Sequence, residues 1–286
     1  MIVFLNGKFV TEDKAVVSVF DRGFLYGDGL FEALLIKAGK PFGWDQHMER
    51  LAGGIEFLKL TLPFALEQLH LFALELIRRN GTPDCILRIT LSRGITARGY
   101  SPKGAVNPAI VMTIHPLPVL DTKKVARWRV ITSTHRLSVN DPLTRFKTAN
   151  KLPQVLARAE ADAAGAQEAI LLNTAGYIAE GTTSNVFWLE RDVVCTTPLP
   201  AGALPGVTRR AILDLCARRN LECREKNAKP DTLHKSLGAF LTMTSMGVVE
   251  IESLDGRRLR RSPLVNKLSI AYLAMLSEPG ANHTIP

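Results

Sequence analysis

The 286-residue sequence holds only four cysteines, and no two of them stand in a CxxC pair. Cys85, Cys195, Cys216 and Cys223 are scattered, which leaves no disulfide framework and points to reduced thiols in the cytoplasm. The six histidines form no HExxH pair and join no cysteine cluster, so metal catalysis has no support. Long apolar runs are missing as well. Nothing approaches the ~20 residues that cross a bilayer. The opening Met1-Ile2-Val3-Phe4-Leu5-Asn6-Gly7-Lys8 has no basic lead and no long apolar stretch, so a secretory signal is not expected. Internal repeats and low-complexity tracts are absent.

What remains is ordinary globular material, 46% hydrophobic and 22% charged, enough for one large or two medium domains. The net charge of +9 suits anionic small molecules as well as nucleic acid, and charge alone does not choose. The densest basic cluster, Arg257-Arg258-Leu259-Arg260-Arg261, follows Asp255-Gly256 and reads as a solvated hairpin. No RNA-binding aromatic signature accompanies it. A small-molecule partner is expected, not a nucleic acid.

Along the chain, residues 2–5 read as a strand and Asn6-Gly7 as a hairpin turn. Residues 21–29 form a glycine-punctuated loop ahead of a strand at 30–38. Met48, Leu51, Ile55 and Leu58 recur at helical spacing, and residues 66–78 repeat that period. Strands at 85–92 and 109–114 complete an antiparallel pattern with helices. His115-Pro116-Leu117-Pro118 interrupts both helix and ladder and reads as a linker. Beyond it, strands at 128–134, 169–172, 185–189, 193–196 and 239–244 alternate with helices at 152–164 and 208–219. The expected fold class is α/β (α+β) in two domains: a small one at 1–115, a linker at 116–125, and a larger one at 126–286.

Four segments carry candidate chemistry. Gly206-Val207-Thr208 precedes a helical pattern, with Thr208 as cap, and makes a ready anion site. Lys147 and Lys151, in Arg145-Phe146-Lys147-Thr148-Ala149-Asn150-Lys151, are both placed for Schiff-base chemistry, and spacing alone does not separate them. Glu180 opens a polar stretch, Gly181-Thr182-Thr183-Ser184, before a strand and reads locally as a turn. Arg93 and Arg98 flank a glycine-containing loop ending at Tyr100, where two guanidinium groups can grip carboxylates. Taken singly, each segment also fits a plain structural role.

In this order the segments resemble the class IV aminotransferases, the fold-type IV pyridoxal-phosphate enzymes, over nearly the whole chain. The likeness is carried by Asp21-Arg22-Gly23 with Tyr26-Gly27-Asp28-Gly29, His47 with Arg50-Leu51, Lys147 with Asn150, Glu180-Gly181 with Ser184-Asn185, and Gly206-Val207-Thr208-Arg209. It implies a D-amino-acid aminotransferase-like architecture, pyridoxal 5'-phosphate as cofactor, and a homodimer with the site between domains. By the same resemblance Lys147, rather than Lys151, bonds to the cofactor, and Glu180 pairs with its ring nitrogen. Arg50, Gly206, Val207, Thr208, Thr244 and Ser245 hold its phosphate, while Phe31, Arg98 and Tyr100 face the substrate.

Within the family, Leu35 stands where branched-chain enzymes typically carry an arginine, and Tyr100 stands where D-amino-acid enzymes carry a histidine. The Arg93-Gly94-Ile95-Thr96-Ala97-Arg98-Gly99-Tyr100 pattern looks most like 4-amino-4-deoxychorismate lyase, which releases pyruvate and 4-aminobenzoate for folate synthesis. Glu32 departs from the threonine some lyases place there. The leading expectation is therefore the lyase, with an amino-acid aminotransferase as the alternative.

Overall fold

A computed structural model describes residues 1–118 and 124–277. Of the linker expected at 116–125, residues 119–123 lie outside the described residues. Two compact units are present. One holds Met1–Leu117 together with Phe146–Lys151, and the other holds the remaining described residues.

The first unit opens with the hairpin of β1 (Ile2–Leu5) and β2 (Lys8–Thr11) around Asn6-Gly7, both at positive φ. Within the expected loop 21–29 lies a short helix, α1 (Arg22–Tyr26). The Asp21 carboxylate accepts the Gly23 amide at 2.7 Å, and Gly27 ends the helix in the left-handed region. Then come β3 (Gly29–Lys37), β4 (Lys40–Pro41), α2 (Trp44–Leu58), α3 (Leu66–Asn80), β5 (Cys85–Ser92) and β6 (Ile110–Pro116). The strands form one antiparallel sheet in the order β2-β1-β6-β5-β3-β4. Leu30, Leu34 and Ile36 of β3 bury against Met48 and Leu51 of α2, with Leu69, Ala73 and Leu76 of α3 in the same core. A Cβ on Gly54 would lie 2.8 Å from Leu30 Cδ1, so this glycine lets α2 come close to β3.

The segment 146–151 belongs to this unit, although a boundary near 116–125 would assign it to the other. Backbone pairing is the reason. Phe31 donates its amide to the Lys147 carbonyl at 2.9 Å, and Ala149 donates to the Gly29 carbonyl at 2.9 Å, with Leu30 and Thr148 in an antiparallel bridge. That short pairing covers part of β3 that β4, bonded only at Ile36 and Lys37, leaves open.

The second unit comprises β7 (Ala126–Leu137), α4 (Leu152–Ala163), β8 (Glu168–Asn173), β9 (Ile178–Gly181), β10 (Asn185–Glu190), β11 (Val193–Thr196), α5 (Val207–Arg218), β12 (Cys223–Glu225), α6 (Pro230–Lys235), β13 (Ala239–Met243), β14 (Gly247–Leu254), β15 (Arg257–Arg258) and α7 (Pro263–Ser277). Its sheet runs β12-β11-β10-β13-β14-β7-β8-β9, with β15 paired to β14 around Asp255-Gly256. The β14–β7, β7–β8 and β11–β12 pairs are parallel, and the rest are antiparallel. Because β8, β10 and β13 are buried almost throughout, they read as apolar runs and not as alternations. The basic cluster is the exposed hairpin that its Asp-Gly turn announced. No described helix is long and apolar enough to cross a membrane.

Candidate active site

In the first unit, the Lys147 Nζ lies 4.7 Å from the centroid of the Phe31 ring. Arg88, on β5, places its Cζ 3.9 Å from the same centroid. The register puts Arg88 opposite Ala33 and Thr90 opposite Phe31, so Phe31 and Arg88 are diagonal neighbours on one face. Arg88 is half-buried, and burial pushes its guanidinium below the usual arginine range. Its partners are the Phe31 ring and the Thr90 hydroxyl at 3.2 Å; among the described residues no carboxylate pairs with it. Sequence reasoning missed Arg88. The signal was a lone cation within an otherwise regular strand alternation, Cys85-Ile86-Leu87-Arg88-Ile89.

On the core face of β3 sits Glu32, fully buried. Its Oε1 accepts Arg50 Nε at 2.7 Å, and its Oε2 accepts Arg50 Nη2 at 2.6 Å and His47 Nδ1 at 2.7 Å. His47 and Arg50 lie three residues apart on α2 and so share a face. Burial raises the Glu32 carboxyl, but Arg50 and His47 outweigh it and hold the group at about 2. Burial is also the largest influence on His47 and pushes it below the usual imidazole range, with Glu32 opposing. A carboxylate only accepts, so the ring carries a proton on Nδ1.

The loop after β5 is organised from beneath by Arg22. That buried guanidinium donates to Asp28 Oδ2 at 2.7 Å, Thr96 Oγ1 at 3.1 Å, and the carbonyls of Gly99 at 3.0 Å, Tyr100 at 3.0 Å and Ser101 at 3.3 Å. Arg93, expected to share carboxylate recognition with Arg98, is spent internally. It donates to Asp28 Oδ2 at 2.8 Å and to the carbonyls of Leu58 and Lys59. Arg98 and Tyr100 are left outermost, both exposed, with Tyr100 tilted against Tyr26 at 5.4 Å.

In the second unit, the stretch expected as a turn contains strand β9, and Glu180 is buried within it. Its Oε2 accepts the Leu204 amide at 2.9 Å and its Oε1 accepts Gln154 Nε2 at 3.2 Å. The following hydroxyls serve a different carboxylate. Glu168 accepts Ala169 N at 2.9 Å, Thr182 N at 3.0 Å, the Thr182 hydroxyl, Ser184 Oγ at 3.0 Å, and both donors of Thr183 at 3.3 Å. Small hydroxyl residues after Glu180-Gly181 thus hold the β9–β10 turn around a buried anion.

Gly206 is the N-cap of α5, and Thr208, expected as cap, is its second residue. No side chain caps this helix. Its first amides have no partner within the helix, and they carry the positive end of its dipole. A Cβ at Gly206 would fall 2.1 Å from Asn185 Oδ1, while Asn185 Nδ2 donates to the Leu204 carbonyl at 2.8 Å. Thr244 and Ser245 form the half-buried β13–β14 turn. Tyr272 of α7 joins these pieces: it is hydrogen-bonded to Thr208, and a Cβ on Gly247 would touch its ring at 2.7 Å. Burial pushes its phenol up to about 12. An uncapped helix end, a tight glycine and neighbouring hydroxyls fit a phosphate dianion.

Comparison with known proteins identifies the family. The family model described as amino-transferase class IV matches residues 29–254. A putative branched-chain-amino-acid aminotransferase of Methanocaldococcus jannaschii is 35% identical over 260 residues, covering 90% of this chain and 89% of that protein. An aminodeoxychorismate lyase of Bacillus subtilis is 27% identical over 256 residues, covering 89% and 87%. A solved branched-chain aminotransferase of the archaeon Thermoproteus uzoniensis, with norvaline, superposes with a TM-score of 0.89 at 27% identity, covering 96% of this chain and 94% of that one. Class IV aminotransferases use pyridoxal phosphate. With its fold, its matched span of residues 29–254 and its 35% identity to a family member, the chain belongs to the class IV aminotransferases.

Proposed function

We propose that the chain is a pyridoxal-phosphate-dependent amino-acid aminotransferase whose amino acceptor is a dicarboxylate 2-oxo acid such as 2-oxoglutarate. Arg88 carries this reading. A half-buried guanidinium that pairs with no carboxylate among the described residues, beside the ring that Lys147 overlies, suits the second carboxylate of a substrate. Bound to this chain, the cofactor supplies an electron sink for the substrate's α-carbon. Lys147 would hold it and would move the α-proton, and Glu180 would keep its ring nitrogen protonated. Arg50, the α5 amides of Val207 and Thr208 beside Gly206, and the Thr244-Ser245 turn would hold its phosphate. Phe31, Arg98 and Tyr100 face the substrate.

The lyase is the second reading. Its support is the Arg93-to-Tyr100 pattern and the likeness to the Bacillus subtilis lyase. Commitment of Arg93 to Asp28 removes one of the two cations in that pattern and shifts weight to transamination. We also propose a homodimer. Phe20, Phe24 and Leu25 expose large apolar surfaces, and a second copy of the chain is the partner that covers them. Four free cysteines accord with a cytoplasmic setting.

Two assays test the reading. With cofactor bound, amino acids plus 2-oxoglutarate should yield glutamate, whereas pyruvate released from aminodeoxychorismate without an oxo acid would make the chain a lyase. Arg88→Leu should raise KM for 2-oxoglutarate about 10- to 100-fold and affect monocarboxylate oxo acids far less. An unchanged KM would place the second carboxylate elsewhere. Lys147→Ala should abolish turnover and borohydride-trapped cofactor while the fold survives; continued trapping would point to Lys151.

A further inference from the structure

Glu32 shares the core face of β3 with Leu30, Leu34 and Ile36, where a carboxylate is costly without partners. An apolar residue of similar size would pack there without that cost. What the charge adds is direction. Glu32 grips Arg50 along its Nε–Nη2 edge with two short bonds, and His47 fixes Oε2 from a third side. A guanidinium held along one edge cannot turn about its own axis, so the rest of the planar fork points one way. His47 adds a third donor to this carboxylate, at Oε2.

We infer that Glu32 and His47 are positioning residues for Arg50, so that recognition of the cofactor phosphate belongs to this buried triad rather than to Arg50 alone. The inference rests on Arg50 being a phosphate ligand. It states what sets the strength of that contact: orientation of the fork, not only its charge. Lysine at position 50 keeps the charge and loses the fork. Glutamine at position 32 keeps the volume but sets an amide N–H₂ against Arg50 or His47 donors, and arginine has no acceptor with which to answer.

The experiment uses purified protein stripped of cofactor and titrates it with pyridoxal phosphate and with pyridoxal. The readout is the ratio of the two dissociation constants, pyridoxal over pyridoxal phosphate, which isolates the phosphate. Arg50→Lys should lower the wild-type ratio. Glu32→Gln should lower it about tenfold with pyridoxal binding unchanged, and should add nothing further in the Arg50→Lys background. If Glu32→Gln keeps the wild-type ratio while Arg50→Lys lowers it, the triad is refuted and Arg50 keeps its role. If Arg50→Lys keeps the ratio, the phosphate reading of Arg50 falls and the inference with it. Equal weakening of both ligands means a purely structural role and overturns the proposal. Should Glu32→Gln fail to fold, His47 decides: His47→Asn retains a donor and should hold the ratio, whereas His47→Leu should lower it. Equal ratios in those two variants would refute the triad.

Discussion

Glu32 in the first unit and Glu168 in the second are both sealed from water, yet they are kept there by opposite means. Glu32 is answered by a cation, Arg50, and by the imidazole of His47. Glu168 has no cationic partner among the described residues and is surrounded by backbone amides and hydroxyls of Ala169, Thr182, Thr183 and Ser184. An ion pair concentrates its stabilisation in one bond set; a ring of dipoles spreads it. The first is fragile to a single change and orients what it touches. The second tolerates loss of any one member and shapes a turn.

Removing one partner should expose the difference most strongly. Arg50→Ala leaves Glu32 as a buried, half-satisfied anion and should cost about 3–5 kcal/mol in chemical denaturation. A loss below about 1 kcal/mol would mean that water or a rearranged neighbour replaces the guanidinium. Acid offers a second break. Glu32 is held at about 2 against an ordinary 4.5, so its contribution is fully present above pH 4.5 and disappears as pH falls toward 2. The stability gap between wild type and Glu32→Gln should therefore be widest above pH 4.5 and close toward pH 2; a gap that stays constant through that window would contradict the pairing.

Glu168→Gln should cost less, about 1–3 kcal/mol. The hydroxyls of Thr183 and Ser184 can turn to accept from the new amide, which Arg50 cannot do for Glu32→Gln. Urea melts of the two glutamine variants in parallel rank the two means directly, and a larger loss at position 168 would reverse the comparison. Smallest of all is Thr183→Val. Its two bonds to Glu168 are long, 3.3 Å each, and one survives the substitution, so about 0.5 kcal/mol is expected.

Much of the frame was legible beforehand. The strand and helix periods at 30–38, 44–58 and 85–92 match β3, α2 and β5, because each buries one face and local pattern records that. Helix α1 was hidden by Gly23 and Gly27, which read as loop until the Asp21 cap and the left-handed Gly27 are seen. Strand β9 was hidden by the polar residues after it, whose partner Glu168 lies more than ten residues earlier. Arg88 went unnoticed inside the strand pattern of 85–92 until the register of β3 brought Phe31 beside it. In the same way Arg93 looked available until Asp28 claimed it.

From the order of its residues alone, this protein's family and cofactor class could be named, because several short motifs recur in the family's order; the roles of Lys147, Glu180 and Gly206–Thr208 follow only from that resemblance. Tertiary structure decided what each charge faces. Glu32 meets His47 and Arg50 across fifteen and eighteen residues, and the Lys147 segment joins β3 across more than a hundred. Such contacts depend on how closely a helix crosses a strand, which α2 achieves at Gly54. The strength of a buried charge pair depends on local dielectric and on which groups share the space, and neither is encoded in any single stretch of chain.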